Sequence, residues 1–216
     1  MPQPTRDTQA DPTPDDLIDR RLVDSVRSGD PAAWTKLVER YQVRVYSICV
    51  RMVRDRDLAS DLTQETFLKV IRGLDRFDDR AKLSTWVYRV AMNVCLSKLR
   101  SEKLRRHASL DALGGWGAQG SAAEDRRSDP GIEQAREPGA GWGVEDNEER
   151  QRMLAALDAI SPEHRAILVL RDGRGLEYEH IADALDIPVG TVRSRLFRAR
   201  AALREAYDSL TPRTDD

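Results

Sequence analysis

The chain has 216 residues, with 35 Lys/Arg against 37 Asp/Glu for a formal net charge of −2, and its residues are 40% hydrophobic and 6% aromatic. That length accommodates one large domain, or two small ones with a connector. No run of about 18 apolar residues occurs, and the N-terminus is acidic and Pro-rich without an apolar h-region, which argues against membrane insertion and a signal peptide.

The two cysteines, Cys49 and Cys95, lie far apart, there is no C-x-x-C, and His107, His164 and His180 are scattered. A disulfide framework, a structural metal and a cofactor are therefore not expected, and a reducing cytoplasm is the simplest compartment. The near-zero net charge conceals segregation. Residues 80–106 carry eight Lys/Arg against Glu102, a net +7, and 186–204 carry five arginines against Asp186, a net +4. Between them, 108–149 carry ten acids against three arginines, a net −7. Two basic segments around an acidic connector point to a polyanionic partner.

Residues 1–14 form a polar tail expected to be disordered. A first helix is expected from about Asp15 to the "SGD" of Ser28–Asp30, where Gly29 is a stop signal. The next starts at Pro31 behind Asp30 as cap, with Trp34, Leu37, Val38, Tyr41, Val45 and Ile48 at helical spacing. A third spans about Arg56–Leu74, with Leu58, Leu62, Phe67, Val70, Ile71 and Leu74 on one side, and a fourth spans about Ser84–Arg106. Residues 108–146 change to Gly, Ala, Ser and acids, with Pro130 and Pro138 and two odd tryptophans, Trp116 and Trp142. A connector of that length inside one compact domain is unusual, so it separates two domains. Helices resume near Glu145, and Ser161 and Pro162 begin another. No strand-like alternation persists. The expected fold is all-α: two small helical domains, 15–107 and 147–210, joined by a long flexible linker, 108–146.

Tyr178–Leu203 reads as a helix-turn-helix, with Asp186, Ile187 and Pro188 as the break. At about 100° per residue, Val192, Leu196, Ala199 and Leu203 fall on one buried stripe of the second helix. Ser194, Phe197, Arg198 and Ala201 then face away from the core, with Arg193, Arg195 and Arg200 on the flanks. A merely solvated helix has no reason to set a phenylalanine among arginines opposite its core. A major-groove helix does: Arg pairs bidentately with guanine, Ser adapts, and an apolar surface touches a thymine methyl.

Two further faces carry weaker signals. In "DLASDLTQETFLKVIRGLDRF" the polar side presents Asp61, Gln64, Glu65 and Leu68, which is either a docking patch for a basic partner or a plain solvated face. In "AKLSTWVYRVAMNVCLSKLRSEKLRR" one side carries Trp86, Arg89, Asn93, Ser97 and Arg100, while Val87, Ala91, Val94 and Cys95 share the other. An aromatic, an amide and several cations along one face suit unstacked bases and their backbone, although Trp86 reads equally well as core.

At these residues the chain resembles a known family. "DLTQETFLKV", "STWVYRVAMNVCLSKLR" and "PVGTVRSRLFRARAALRE" occur in the order of conserved regions 2 and 4 of the extracytoplasmic-function (group 4) sigma factors of bacterial RNA polymerase. The resemblance covers roughly residues 16–107 and 147–207. It implies that Asp61, Gln64, Glu65 and Leu68 dock on the clamp helices of the largest polymerase subunit, with the flap region as a second polymerase contact. It implies that Trp86, Arg89, Asn93, Lys98 and Arg100 hold the melted −10 element, with Asn93 at the pocket for a flipped base. Arg193, Ser194, Phe197 and Arg198 match −35 reading positions, with Arg195, Arg200 and Arg204 on phosphates. The acidic linker is similar in role to a segment threading toward the polymerase active site.

No region 1.1 or region 3 is evident, and few residues follow Tyr207, so control by a separate anti-sigma partner, in a stress or envelope response, is expected rather than control by an attached domain. The alternative is a stand-alone helix-turn-helix regulator binding duplex DNA as a dimer. An enzyme finds no support: no Gly-rich phosphate loop, metal-spaced ligand set or nucleophile–base pair stands out.

Overall fold

A computed structural model describes residues 13–78, 81–112 and 147–210. Among these residues there are eight α-helices, one 3₁₀ turn and no strand. In chain order they are α1 (Pro14–Arg27), α2 (Pro31–Val53), α3 (Arg56–Gly73), the 3₁₀ turn Leu74–Arg76, α4 (Leu83–Ala112), α5 (Asn147–Ala159), α6 (Pro162–Arg171), α7 (Tyr178–Leu185) and α8 (Val189–Ser209). The all-α expectation holds. Residues 108–112 of the expected linker belong to α4, while 113–146, with the two tryptophans, and most of the N-terminal tail lie outside the described residues.

Local chemistry explains where the helices start. Thr13 caps α1 in a capping box: its hydroxyl accepts from the Asp16 backbone N–H, and the Asp16 carboxylate accepts from the Thr13 N–H at 2.9 Å. Asp30 caps α2, Asp55 caps α3 and Ser161 caps α6, and Pro stands in the first turn of α1, α2 and α6. The fourth helix departs from expectation. It passes Arg106 and runs to Ala112, because "HASLDA" contains no breaker and the first glycine, Gly114, comes only afterwards.

The first unit is organised around α2. Leu37, Tyr41, Val45, Ile48 and Met52 recur every three or four residues, and all are fully buried. They meet Leu62, Phe67 and Val70 of α3 and Val87, Ala91, Val94 and Cys95 of α4. Helix α1 is pinned by a buried polar cluster. Asp19, 5% exposed, accepts from the Tyr41 hydroxyl at 2.6 Å and from Arg40 Nε at 2.7 Å. A buried carboxylate is tolerable only when satisfied in this way. Burial, joined by the hydrogen bond to Asp19 and the charge of that carboxylate, raises the Tyr41 phenol well above its ordinary value and so keeps it neutral. The one misplaced apolar residue of α3 is Ile71, which is 43% exposed rather than on the inner side.

The second unit packs α5 and α6 against α8, with α7 closing one side. Ile167, Leu168, Leu170, Ile181, Val192 and Leu196 form its centre. The two units also pack on one another. Helix α7 lies along α4, and α6 touches both α2 and α4, so the hydrophobic cluster is continuous across the chain.

Candidate nucleic-acid interface

The helix-turn-helix is built by a left-handed turn. Asp186 takes φ 54°, ψ 52°, and the backbone N–H groups of Asp186 and Ile187 both donate to the Ala182 carbonyl, ending α7 abruptly. A short acidic side chain tolerates this backbone region better than most. Pro188 then precedes α8, and Thr191 N–H donates to its carbonyl at 2.8 Å. The wheel reading of α8 matches what is observed. Val192, Leu196 and Ala199 are buried and Leu203 is half-buried, whereas Arg193, Ser194, Phe197, Arg198, Ala201 and Arg204 are exposed. Phe197 is 76% exposed, and with Gly190, Arg193, Ser194 and Arg198 it lines a shallow open groove.

The arginines of α8 are not equivalent. Arg193 and Arg204 extend into solvent, and Arg195 is half-buried. Arg198 Nε donates to Ser194 O at 3.4 Å, along its own helix. Arg200, expected on phosphates, forms a two-pronged ion pair with Asp172 just after α6, at 2.5 and 3.2 Å. The Asp172 carboxylate raises the guanidinium further above its already high value. Arg200 therefore braces α8 against the α6–α7 turn in the free chain.

On α4, Asn93, Ser97 and Arg100 are exposed on one face. Lys98 lies beside them, paired with Glu102 at 3.5 Å. Trp86 does not stand free. Its ring leans on Phe77, with centroids 5.2 Å apart, and passes over Gly73, where a Cβ would sit 3.1 Å from the Trp86 ring. It is half-buried and packs against the core, as the core reading of this residue expects. Arg89 is likewise engaged, reaching Asp186 of the helix-turn-helix at 3.4 Å. On α3, Asp61, Gln64, Glu65 and Leu68 are all exposed, Leu68 at 52%. Glu65 is held by Lys69 at 2.8 Å, and Ile71 extends the apolar part of this face.

Sequence reasoning missed the residues that join the two units. Arg165 of α6, only 4% exposed, donates to Met52 O at the end of α2 at 2.5 Å and to Asp158 O at 2.9 Å. Burial lowers its guanidinium pKa from the ordinary value. Arg54 donates to Leu154 O, Arg174 donates to Arg44 O, and the Arg174 guanidinium lies 6.0 Å from the centre of the Tyr88 ring. Such side chain-to-carbonyl bonds leave no periodic trace in a sequence.

Among the described residues no cluster of three or more His, Cys, Asp or Glu is placed to hold a metal ion, and no helix is long and apolar enough to cross a membrane. Residues 37–105 match Sigma-70 region 2, and residues 156–205 match Sigma-70 region 4. The chain is 35% identical over 198 residues to the ECF RNA polymerase sigma-E factor of Escherichia coli K12, spanning 91% of this chain and 98% of that protein. It is 33% identical over 192 residues to the RNA polymerase sigma-H factor of Pseudomonas aeruginosa, spanning 89% of this chain and 95% of that one. Its fold is similar to CnrH, solved with the cytosolic domain of CnrY, with a TM-score of 0.61 and 22% identity over 90% of this chain and 99% of that one. It is similar also to the sigma factor RpoE of Bartonella quintana, solved with the anti-sigma factor NepR, with a TM-score of 0.56 and 22% identity over 82% of this chain and 98% of that one. Two sigma regions in order, on an all-helical chain aligned nearly end to end with its relatives, make this protein a member of the sigma-70 family of RNA polymerase sigma factors, in the extracytoplasmic-function group.

Proposed function

We propose that the chain directs core RNA polymerase to promoters through three separate faces, with no chemistry of its own. The α3 face of Asp61, Gln64, Glu65 and Leu68 docks on the clamp helices of the largest polymerase subunit, and the second unit reaches the flap region. The α4 face holds the melted −10 strand: Asn93 reads a flipped base, Trp86 supports it by stacking from its half-buried seat, and Arg89, Lys98 and Arg100 follow the backbone. Helix α8 reads the −35 duplex with Arg193, Ser194, Phe197 and Arg198, while Arg195, Arg200 and Arg204 serve phosphates. Arg200 must exchange Asp172 for phosphate, and Arg89 must leave Asp186, before either contact forms. Catalysis of nucleotide addition stays with the polymerase, and the protein acts where the polymerase is, in the cytoplasm. Both fold neighbours were solved with partner polypeptides, one of them named an anti-sigma factor, which supports control of this chain by an anti-sigma factor as well.

The observation that carries the reading is the largely exposed Phe197 among arginines on a helix-turn-helix, in one chain with the exposed Asn93 face. A stand-alone duplex-binding regulator accounts for the first face but leaves the second without a role. Mixing purified chain with core polymerase and single-stranded oligonucleotides tests the difference. The polymerase reading expects a stable complex with core and sequence-selective binding to one single strand. Duplex binding alone, with neither of these, overturns it.

A further inference from the structure

The chain's two cysteines, 46 residues apart in sequence, meet inside the first unit. Cys49 on α2 and Cys95 on α4 are both fully buried and free, and the Cys95 thiol donates to Cys49 Sγ at 3.7 Å. A single buried cysteine is ordinarily an inert, small apolar side chain. Two that face one another across a helix pair differ, because each is placed to capture the other once one is oxidised. The pair is also polarised. The hydrogen bond from Cys95 lowers the Cys49 thiol below its ordinary value, against burial and with help from the Thr63 side chain. The same hydrogen bond, together with burial, raises Cys95. Cys49 therefore has the thiolate character of a nucleophile, and Cys95 keeps its proton. The position matters as much as the chemistry. Helix α3 packs on both α2 and α4. Its half-buried Thr63 is within hydrogen-bonding reach of Cys49, and the charge of its exposed Glu65 acts on Cys95. The thiols thus lie beneath the α3 face that carries Asp61, Gln64, Glu65 and Leu68, and Asn93 stands two residues before Cys95 on α4.

We propose that Cys49 and Cys95 are a modification site for peroxides, closing to a reversible disulfide, and that the oxidised chain binds core polymerase more weakly. The second half rests on the proposed promoter reading; the first does not. Hydrogen peroxide, little larger than water, enters by local opening around Thr63. The Cys49 thiolate attacks one peroxide oxygen: an S–O bond forms, the O–O bond breaks, and hydroxide leaves to become water. The Cys95 sulfur then attacks the sulfur of the resulting Cys49 sulfenic acid. An S–S bond forms, the S–O bond breaks, and the departing hydroxide takes up the Cys95 proton. In sum, two thiols lose two electrons and two protons, and one peroxide becomes two waters. A cytosolic thiol pool returns the pair to the free thiols, as suits a transient signal rather than a structural bridge. Closing the bond also moves the helices. Sulfurs now 3.7 Å apart must come to about 2.05 Å. Rotation of the two side chains supplies part of this, and a close-packed core passes the rest to α2 and α4. Helix α3, seated on both, moves with them, and a docking face holds its geometry only to within about 0.5 Å.

The test uses the full chain, reduced, freed of reductant and exposed to hydrogen peroxide, then denatured, alkylated and weighed by intact mass spectrometry. The wild type is expected to lose two hydrogens, take up no alkylating reagent and remain monomeric in non-reducing electrophoresis, with dithiothreitol restoring both thiols. Cys95→Ala lacks the second thiol, so its Cys49 is expected to hold a sulfenic acid that dimedone traps; Cys49→Ala is expected to trap none. Oxidation is expected to weaken core binding of the wild type at least about threefold, the loss that a displaced docking face implies, with affinity for a −35 duplex unchanged and core binding recovered in dithiothreitol. The Cys49→Ala/Cys95→Ala double variant, checked for an unchanged α-helical circular dichroism spectrum, is expected to ignore peroxide, which separates this effect from methionine oxidation. Recovery in dithiothreitol is read on the wild type alone, so the test stands even if the variants fold poorly. Two thiols still open to alkylation after peroxide, or disulfides only between chains, overturn the site. A disulfide that leaves core affinity unchanged overturns its effect on polymerase. Failure of the reduced chain to bind core overturns the polymerase reading, while the mass measurement still decides the disulfide.

Discussion

Phe197→Ala is the most informative single change to the −35 face, because it separates reading from folding. At 76% exposure the ring contributes little to the core, so the unfolding free energy should change by no more than about 0.5 kcal/mol. Against DNA the same ring has about 150 Å² to offer, three-quarters of the roughly 200 Å² of a phenylalanine side chain. If half of that is buried against a thymine methyl and its neighbours, about 75 Å² at about 25 cal/mol per Å² gives ~2 kcal/mol, or roughly thirtyfold in affinity. The assay is fluorescence anisotropy with a labelled −35 duplex at fixed salt, alongside thermal unfolding and binding to core polymerase. The expected result is a thirtyfold loss on duplex with core affinity and melting temperature unchanged. Unchanged duplex affinity in a folded variant would refute the assignment of this face, and a large drop in stability would show that the ring is core after all.

Other expectations follow from the same geometry. Asn93→Ala should leave core and −35 binding intact while reducing single-stranded −10 binding by about tenfold, the ~1–3 kcal/mol typical of a base contact; loss of helical circular dichroism instead would put Asn93 in the core. Charge reversal of Asp61 and Glu65 to Lys should weaken the core complex at least tenfold while leaving duplex affinity equal or higher, as size-exclusion chromatography and anisotropy together would show. Arg204→Ala should weaken all duplexes alike and reduce the slope of log affinity against log salt by about 0.9, the signature of one lost phosphate contact. Tyr41→Phe removes the hydroxyl that donates to the buried Asp19 carboxylate beside Arg40 and should cost about 1.5–3 kcal/mol in urea unfolding, with no direct effect on DNA affinity.

The secondary structure was legible because each helix carries its own signals. Asp30–Pro31 and Ser161–Pro162 mark starts by chemistry that acts within one turn, and the spacing of Val192, Leu196 and Ala199 identifies the buried stripe of α8, and hence the outward side of Phe197. Ile71 shows the limit of that method. It shares the wheel sector of α3 with core residues, yet no neighbouring helix comes to cover it. Trp86 shows another: a wheel places it on the polar face, but its ring is large enough to fold back onto Phe77 and Gly73. The packing of one unit on the other was not legible at all. It depends on Arg54, Arg165 and Arg174 meeting carbonyls up to 130 residues away in sequence, and a carbonyl is present at every position.

The central claim is that this chain confers promoter choice on RNA polymerase. Transcribing genomic DNA in vitro with core polymerase, with and without the chain, and sequencing the RNA 5′ ends tests it most directly. The account predicts a set of new start sites that appear only with the chain and share −35 and −10 elements at fixed spacing, and that vanish with the Asp61 and Glu65 reversal. An identical distribution of 5′ ends with and without the chain would contradict it.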